Sequence, residues 1–583
     1  MTTVPGAVAT PAVDRRSRVL LWFCAGAVMF AAIDTYVVVL ALPDMMKTVG
    51  INPDELQRAA PIISGFLLGY VAVLPLIGRI ADLRGPVPVL AGSLVAFTVG
   101  SAVTTVSFDL TSLVVGRFLQ GVGGGGLVPA TMALVAALYP VEQRGLPLGV
   151  VSAVQELGSV LGPLFGAAVL AFTTWQGIFA INAAAGVFLW VVVRALRRVG
   201  PEHGVPEEPG LSRGRLAARA AALVLALAAS AATLATVYPV RSVQQDLTYG
   251  EVYVPLTDGG SRWVTPIGLV ALGLAVVAAL ALVVAFDTVG AVRRLGDVDV
   301  VGAAYLAVAL GGIVLAFATA DPEVAVFSEQ GPWFLLGSAV ALVAFVLHLR
   351  RTEDPLVPRG ALTARPAWGS LVVSLLVGWA LIAALVDIPL FARTAEKGYD
   401  QLDAALVLLR FLVALPVGAV VGGLLVRHLP SGVITAVGMV AASVSFWWMA
   451  GWDTTSLDSA LAAVPLVLGG FGFGLALAPV NAAMLASTSD HAHGLASALV
   501  VVARMVGMLV GISVLTTYGL AQLYDARRAD DSLGVRELGV LQEQAVFEGA
   551  AVVALVAAVA ALVLFRGAPT RGVQTGQLLR APS

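Results

Sequence analysis

PLIGRIADLRGPVPVLAG (residues 75–92) and AVVGGLLVRHLPSGVITAVG (residues 419–438) are two versions of one arrangement. Each has a helix end built of small residues, a short charged turn containing glycine or proline, and then a new apolar run. They stand at matching places in a chain of 583 residues that is 59% hydrophobic and only 12% charged. With a mean hydropathy of +0.93, so much apolar surface cannot be kept from water by folding alone. Repeated membrane spans of about 20 apolar residues each account for it. Sixteen apolar runs of that length can be counted, from residues 19–42 to residues 545–565. ELGSVLGPLFG (156–166) in the fifth run likewise has a counterpart, ARMVGMLVGIS (503–513), in the fifteenth. Two six-helix halves with matching elements are the plan of transporters whose substrate site lies between the halves.

An all-α polytopic membrane protein is therefore expected, with a cytoplasmic tail (1–18), a first six-helix half (19–199) and a central insertion (200–366). A second half (367–566) and a short tail (567–583) complete it. The insertion holds runs seven to ten; being even in number, they leave the orientation of the second half unchanged. Of 34 basic residues, 22 fall in segments on one side and nine on the other, the remaining three lying within runs. Because Lys and Arg accumulate in cytoplasmic loops, both termini are expected to be cytoplasmic in a cell (inner) membrane. The first run is about two dozen residues long and carries Asp34, which does not suit a removable signal peptide.

Two outward segments break the pattern. Residues 239–265, PVRSVQQDLTYGEVYVPLTDGGSRWVT, alternate polar and β-branched residues around turn signals, which predicts a small periplasmic β-hairpin. The helical pattern of the fifteenth run continues into GLAQLYDARRAD, and the sixteenth begins early at VRELGVLQEQAVFEG. A helix over 492–528 would be about 55 Å long at 1.5 Å per residue, against a hydrocarbon core of about 30 Å. Extended helix ends over 521–545 are thus expected outside the membrane.

Charge excludes other classes. A formal net charge of -2 suggests no nucleic-acid partner, and the single cysteine, Cys24, rules out an intrachain disulfide framework. Gly123 to Gly126 lie inside an apolar run without a following Lys-Ser/Thr, so they form no phosphate-binding loop. His491 and His493 are too sparse for a metal site and read as solvated turn residues. No catalytic triad, nucleotide loop or metal set suggests an enzyme, and no cofactor is expected.

Six ionisable residues fall within runs: Asp34, Arg117, Glu156, Asp387, Arg410 and Arg504. Such residues usually face a bundle interior or a wet cavity and find partners, because a carboxylate at the membrane centre costs roughly 2.5–3.5 kcal/mol even on insertion scales. By helical rise, Asp34 lies roughly 22 Å and Arg504 roughly 18 Å from the cytoplasmic face. They can therefore pair across the two halves as a gate that a proton on Asp34 would release. Arg117 in the fourth run is the competing partner, and a static ion pair is the plainer reading. Glu156, roughly 12 Å deep, is a second candidate proton carrier; the alternative is a carboxyl that only positions its helix. Asp387 and Arg410, both in outer parts of consecutive runs, are expected to pair at the outer mouth. Gly158, Gly162, Pro163 and Gly166 should let a neighbouring helix come close. Asp82, with Arg79 or Arg84, should tie cytoplasmic helix ends together.

GRIADLRG (78–85, holding Gly78, Arg79, Asp82, Arg84 and Gly85), LVVGRFLQGVGGG (113–125) and GSVLGPLFGA (158–167) resemble the loop, fourth-helix and antiporter motifs of the major facilitator superfamily. The resemblance is to its drug:proton antiporter group with extra central helices. IDTYVVV (33–39), QELGSVLGPLFG (155–166), LVDIPLF (385–391), ALPVGAVVGG (414–423) and GLASALVVVARMVGMLVG (494–511) are similar to the mycobacterial triacylglyceride exporters that cooperate with a periplasmic lipoprotein. The likeness covers roughly 400 residues in both halves by counting the quoted segments and their spans. Leu83 and Pro86-Val87 depart from it, standing where the family usually has basic residues. The resemblance implies a major facilitator fold, a proton gradient as energy source, membrane lipid as substrate and a periplasmic lipoprotein partner; a monomer is expected. Two other functions stay open: a multidrug:proton antiporter for small lipophilic compounds, and a non-transporting membrane scaffold.

Overall fold

A computed structural model describes residues 15–51, 56–140, 143–196, 250–256, 264–285, 299–318, 328–394, 401–489, 492–530 and 532–570, with isolated positions between 217 and 236. The first half comprises α1 (Arg15–Thr48), α2 (Leu56–Arg84), α3 (Pro86–Thr105), α4 (Leu110–Leu138), α5 (Gly145–Phe172) and α6 (Trp175–Leu196). Then come α7 (Pro266–Ala285) and the pair α8 (Val300–Ala318) and α9 (Gly331–Arg351). The second half comprises α10 (Arg365–Thr394), α11 (Gln401–Leu425), α12 (Ser431–Met449), α13 (Ala463–Ala486), α14 (His493–Ala529) and α15 (Val535–Leu564). Among the described residues, thirteen helices are long and apolar enough to cross a membrane, which makes this a multi-pass membrane protein. The seventh apolar run is described only at isolated positions.

Local chemistry sets the helix ends. Gly85 takes φ +81°, a left-handed conformation open to glycine, and Pro86 starts α3 where a missing N–H costs nothing. That turn makes α2 and α3 an antiparallel pair. The Asp109 side chain accepts from Ser112 N–H at 2.9 Å and caps α4. At the far end of the chain, Glu537 reaches back to Gly534 N–H at 2.9 Å and starts α15.

The expected hairpin is not supported. Within 239–265, Gly250–Tyr253 form a 3-10 turn, and among the described residues there is no strand. Val254 N–H bonds back to Glu251 O at 3.1 Å, which curls the chain instead of extending it. Pro255 follows and has no N–H to give a ladder. The remainder of that segment lies outside the described residues.

The inserted α8–α9 pair is fastened at its base by Asp299. Its carboxyl accepts from Gly302 N–H (2.7 Å) and Leu356 N–H (3.0 Å) and meets His348 Nε2 at 2.7 Å. Burial works against the charge, but these hydrogen bonds outweigh it and hold the carboxyl below its usual range. The pair therefore joins the start of α8, the end of α9 and the chain leading into α10, and it packs against α2.

The last two helices are long. α14 is one helix of 37 residues and α15 one of 30, about 55 and 45 Å by helical rise. Beyond the apolar portion, α14 carries the exposed pair Asp525–Arg528 at 3.2 Å. Gly519 keeps it against α15 there, where an added Cβ would come 2.8 Å from Gln542 O.

Candidate functional site

Asp34 lies on α1 at the centre of the first half and is fully buried. Its Oδ2 accepts from Arg117 Nη1 at 2.6 Å, and its Oδ1 accepts from Gln120 Nε2 (2.9 Å) and Asn182 Nδ2 (2.6 Å). Arg117 also donates to Gln120 Oε1 (2.9 Å) and to Ile62 O (3.4 Å), and its guanidinium lies 4.4 Å from the Phe66 ring centre. Gln120 in turn donates to Ser101 Oγ at 2.8 Å. One carboxylate thus ties α1 to α4 and α6, with α3 joined through Gln120. A buried ion pair survives only when its remaining donors and acceptors are met, and this one is surrounded by amides that meet them.

The pairing of Asp34 with Arg504 across the halves is therefore corrected: its cation is Arg117. Matching depth allowed either partner, but depth says nothing of which way a side chain points around its helix. Arg504 sits instead on the lining of the space between the halves. There it borders two adjoining cavities together with Gln155 of α5. The first is also lined by Ser152, Ser374 and Asn481; the second by Thr35, Tyr70 and the methionines Met505 and Met508. Asn481 Oδ1 is buried with no hydrogen-bond partner, so this polar oxygen faces the site unsatisfied. Asn481 and Asn182 escaped the sequence reading because a neutral amide gives no charge signal in an apolar run, whereas Gln120 and Gln155 were marked only by the motifs that hold them. Glu156 follows Gln155 on α5, and its side chain lies outside the described residues.

The halves meet at the end of the bundle that carries the Gly78–Gly85 turn. Asp82 reaches across and accepts from Gly494 N–H (2.5 Å) and Leu495 N–H (2.9 Å) at the start of α14. Those N–H groups are unpaired within their own helix, and the helix dipole favours a negative charge there. Asp82 thus holds the start of α14, with Arg79 close enough to act on its charge. Gly78 and Gly494 abut backbone to backbone, and a Cβ at Gly145 of α5 would lie 2.5 Å from Gly423 O of α11. Small residues here close one end of the cavity. Near it, His493 is buried and bonds Leu485 O at 3.1 Å, which corrects its reading as a solvated residue; His491 lies outside the described residues.

In the antiporter motif, Gly158 lets α5 lie on α1: an added Cβ would meet Met29 O at 2.5 Å. Gly162 and Gly166 are buried on the same helix, and the side chain of Pro163 lies outside the described residues. The expected outer pair does not form. Arg410 is exposed on α11, whereas Asp387 is buried and hydrogen-bonded to Glu543 of α15. Glu543 was missed because α15 begins well before its apolar run. Among the described residues there is no group of side chains able to hold a metal ion.

Comparison with known proteins agrees with this architecture. Residues 24–348 match the Major Facilitator Superfamily. A triacylglyceride transporter of Mycobacteroides abscessus is 34% identical over 508 residues, covering 85% of this chain and 81% of the relative. One of Mycobacterium tuberculosis is 31% identical over 509 residues, with coverages of 85% and 81%. Among solved structures, the human organic anion transporter MFSD10 aligns with a TM-score of 0.56 at 13% identity, covering 94% of this chain and 100% of that one. A proton:xylose symporter aligns with a TM-score of 0.51 at 13% identity, covering 97% and 100%; at such identities the likeness is one of fold alone. The chain is a membrane transporter, not an enzyme, and it belongs to the Major Facilitator Superfamily.

Proposed function

We propose that this protein exports triacylglyceride or a related apolar lipid from the inner membrane toward the periplasm, by alternating access driven by protons. The observation that carries the reading is α14: one unbroken helix brings Arg504 to the cavity between the halves and then runs on beyond the membrane. The relatives named as triacylglyceride transporters support the same substrate. An acylglycerol offers ester carbonyls, which only accept hydrogen bonds, and Arg504, Gln155 and Ser152 supply donors within a largely apolar lining. The projecting ends of α14 and α15 would guide lipid to a periplasmic lipoprotein, with one copy of the transporter sufficing.

With both termini cytoplasmic, the contact of Asp82 with α14 and of Gly145 with Gly423 closes the cytoplasmic end, so this conformation faces outward. Asp34 is the proposed proton acceptor. Neutralising it would weaken its bond to Arg117 and loosen α1 from α4 and α6, changing the shape of the first half rather than breaking a bridge between halves. Glu156, beside the cavity residue Gln155, is the proposed relay, with the proton gradient as sole energy source.

Lipid retained through purification in mild detergent tests the substrate. Mass spectrometry should find triacylglyceride with the wild-type protein, and Arg504→Ala should lower it about tenfold, the worth of one charge-assisted hydrogen bond. Retention no higher than for an unrelated transporter, with small lipophilic cations bound instead, would favour the multidrug reading.

A further inference from the structure

Asp387 on α10 and Glu543 on α15 are 4% and 2% exposed, and their carboxyl groups are hydrogen-bonded to each other. An ionised carboxylate only accepts hydrogen bonds, so a bond between two carboxyls requires a proton on one of them. Glu543 Oε2, buried and without a hydrogen-bond partner, has nothing to stabilise a second negative charge. Among the described residues, no cation is buried beside the pair either. On the helices packed around it, α10, α11, α12, α13, α14 and α15, the charged residues of the outer half are Arg393, Asp403, Arg410, Asp525, Arg527, Arg528, Arg536, Glu537 and Glu548. All of these are exposed. Arg504 lies about seven turns of α14 below its outer end by helical rise, near Gly378 of α10, nine residues before Asp387.

The geometry points to a proton-binding site in the second half, in which Asp387 and Glu543 share one proton and thereby latch α15 to α10. It is separate from the Asp34 network, which lies wholly in the first half, and it does not depend on the nature of the cargo. One turn along each helix, Phe391 and Phe547 meet at 6.2 Å between ring centres, and Trp452 lies 5.3 and 6.4 Å from them. Gln544 beside Glu543 donates to Trp452 O at 2.6 Å. This aromatic cluster therefore packs against the pair near the outer end of the bundle. When the proton leaves, two like charges stand together in a low-dielectric setting and repel. The weaker attachment gives way: the outer end of α15, which projects beyond the membrane with α14. The latch thus makes the position of that projection depend on pH.

The test uses the full-length protein in liposomes, with spin labels at the exposed Leu390 of α10 and Val535 of α15, read by pulsed distance measurement as pH is raised. Infrared spectra of the unlabelled protein follow the carboxylic acid C=O band. The wild type should lose a carboxylic acid band as pH rises, and the label distance should lengthen with the same midpoint. Glu543→Gln should lack that band and keep the short distance at every pH, because a glutamine amide donates to Asp387 without a titrating proton. Asp387→Asn should do the same from the other helix and covers the case in which the first variant fails to fold. A distance independent of pH in the wild type, or lengthening in both variants as in the wild type, would overturn the proposal. So would a short distance at high pH restored by sodium or another metal cation, since the site would then bind a metal and not a proton.

Discussion

Replacing Asp34 with leucine is expected to destabilise the protein by about 3–5 kcal/mol, the usual cost of removing one member of a buried ion pair. Arg117 is 1% exposed and would remain charged, with Gln120 and Ile62 O as its remaining polar contacts. Gln120 and Asn182 would each lose an acceptor as well. The double variant Asp34→Leu/Arg117→Met removes both charges and should recover most of the loss, since apolar replacement of a whole buried pair is often neutral or better. Recovery should fall short of the wild type by the hydrogen bonds to Asp34 that Gln120 and Asn182 lose, about 1–3 kcal/mol each at most. Thermal unfolding in detergent reads this ordering. If Asp34→Leu alone unfolds like the wild type, Arg117 has another partner and the central network is wrongly described. Transport should be lost in both variants, because the double variant restores packing without restoring a group that takes a proton.

The second large effect is expected at Gly145. A valine there would overlap Gly423 O, which lies 2.5 Å from the place its Cβ must take, and would crowd Val426, whose Cβ is 3.2 Å away. Backbone cannot move aside as a flexible side chain can, so the halves would part at this end. Overpacking costs about 1–3 kcal/mol, and since the open conformation avoids the cost, the equilibrium should shift toward it by about 5–150-fold. A cysteine placed at Ser152, on the cavity lining, should become more accessible to a water-soluble reagent from the turn end. Unchanged accessibility would mean that α5 and α11 do not form the closure.

How far the chain could be read before its structure followed from what periodicity reports. Spans, halves and the length of α14, expected over 492–528 and found over His493–Ala529, all depend on runs of apolar residues. Those runs are a strong signal in a membrane. The intramembrane charges were also legible, and Asp34 and Arg117 do belong to one network. Their pairing was harder to assign, because depth along a helix leaves its rotation open. Arg410 shows the same limit: close in depth to Asp387, it points outward. Asp82 was recognised as a tie, yet its partners are backbone N–H groups of Gly494 and Leu495, which carry no side-chain mark. The hairpin failed for a different reason. Alternation over a few residues is a weak signal, and Gly250 and Pro255 curl and interrupt the chain. Glu543 was hidden by counting only apolar runs, since a helix that projects beyond the membrane begins among polar residues.

The central claim is tested most directly by following labelled triacylglyceride out of proteoliposomes into acceptor particles, with the receiving side made acidic. Wild-type protein should raise transfer well above protein-free liposomes, the pH gradient should increase it, and Gly145→Val should reduce it by about fivefold or more, in line with the equilibrium shift at the closed end. Triacylglyceride transfer equal to that of protein-free liposomes, with a lipophilic cation exported by the same vesicles under the same gradient, would contradict the account.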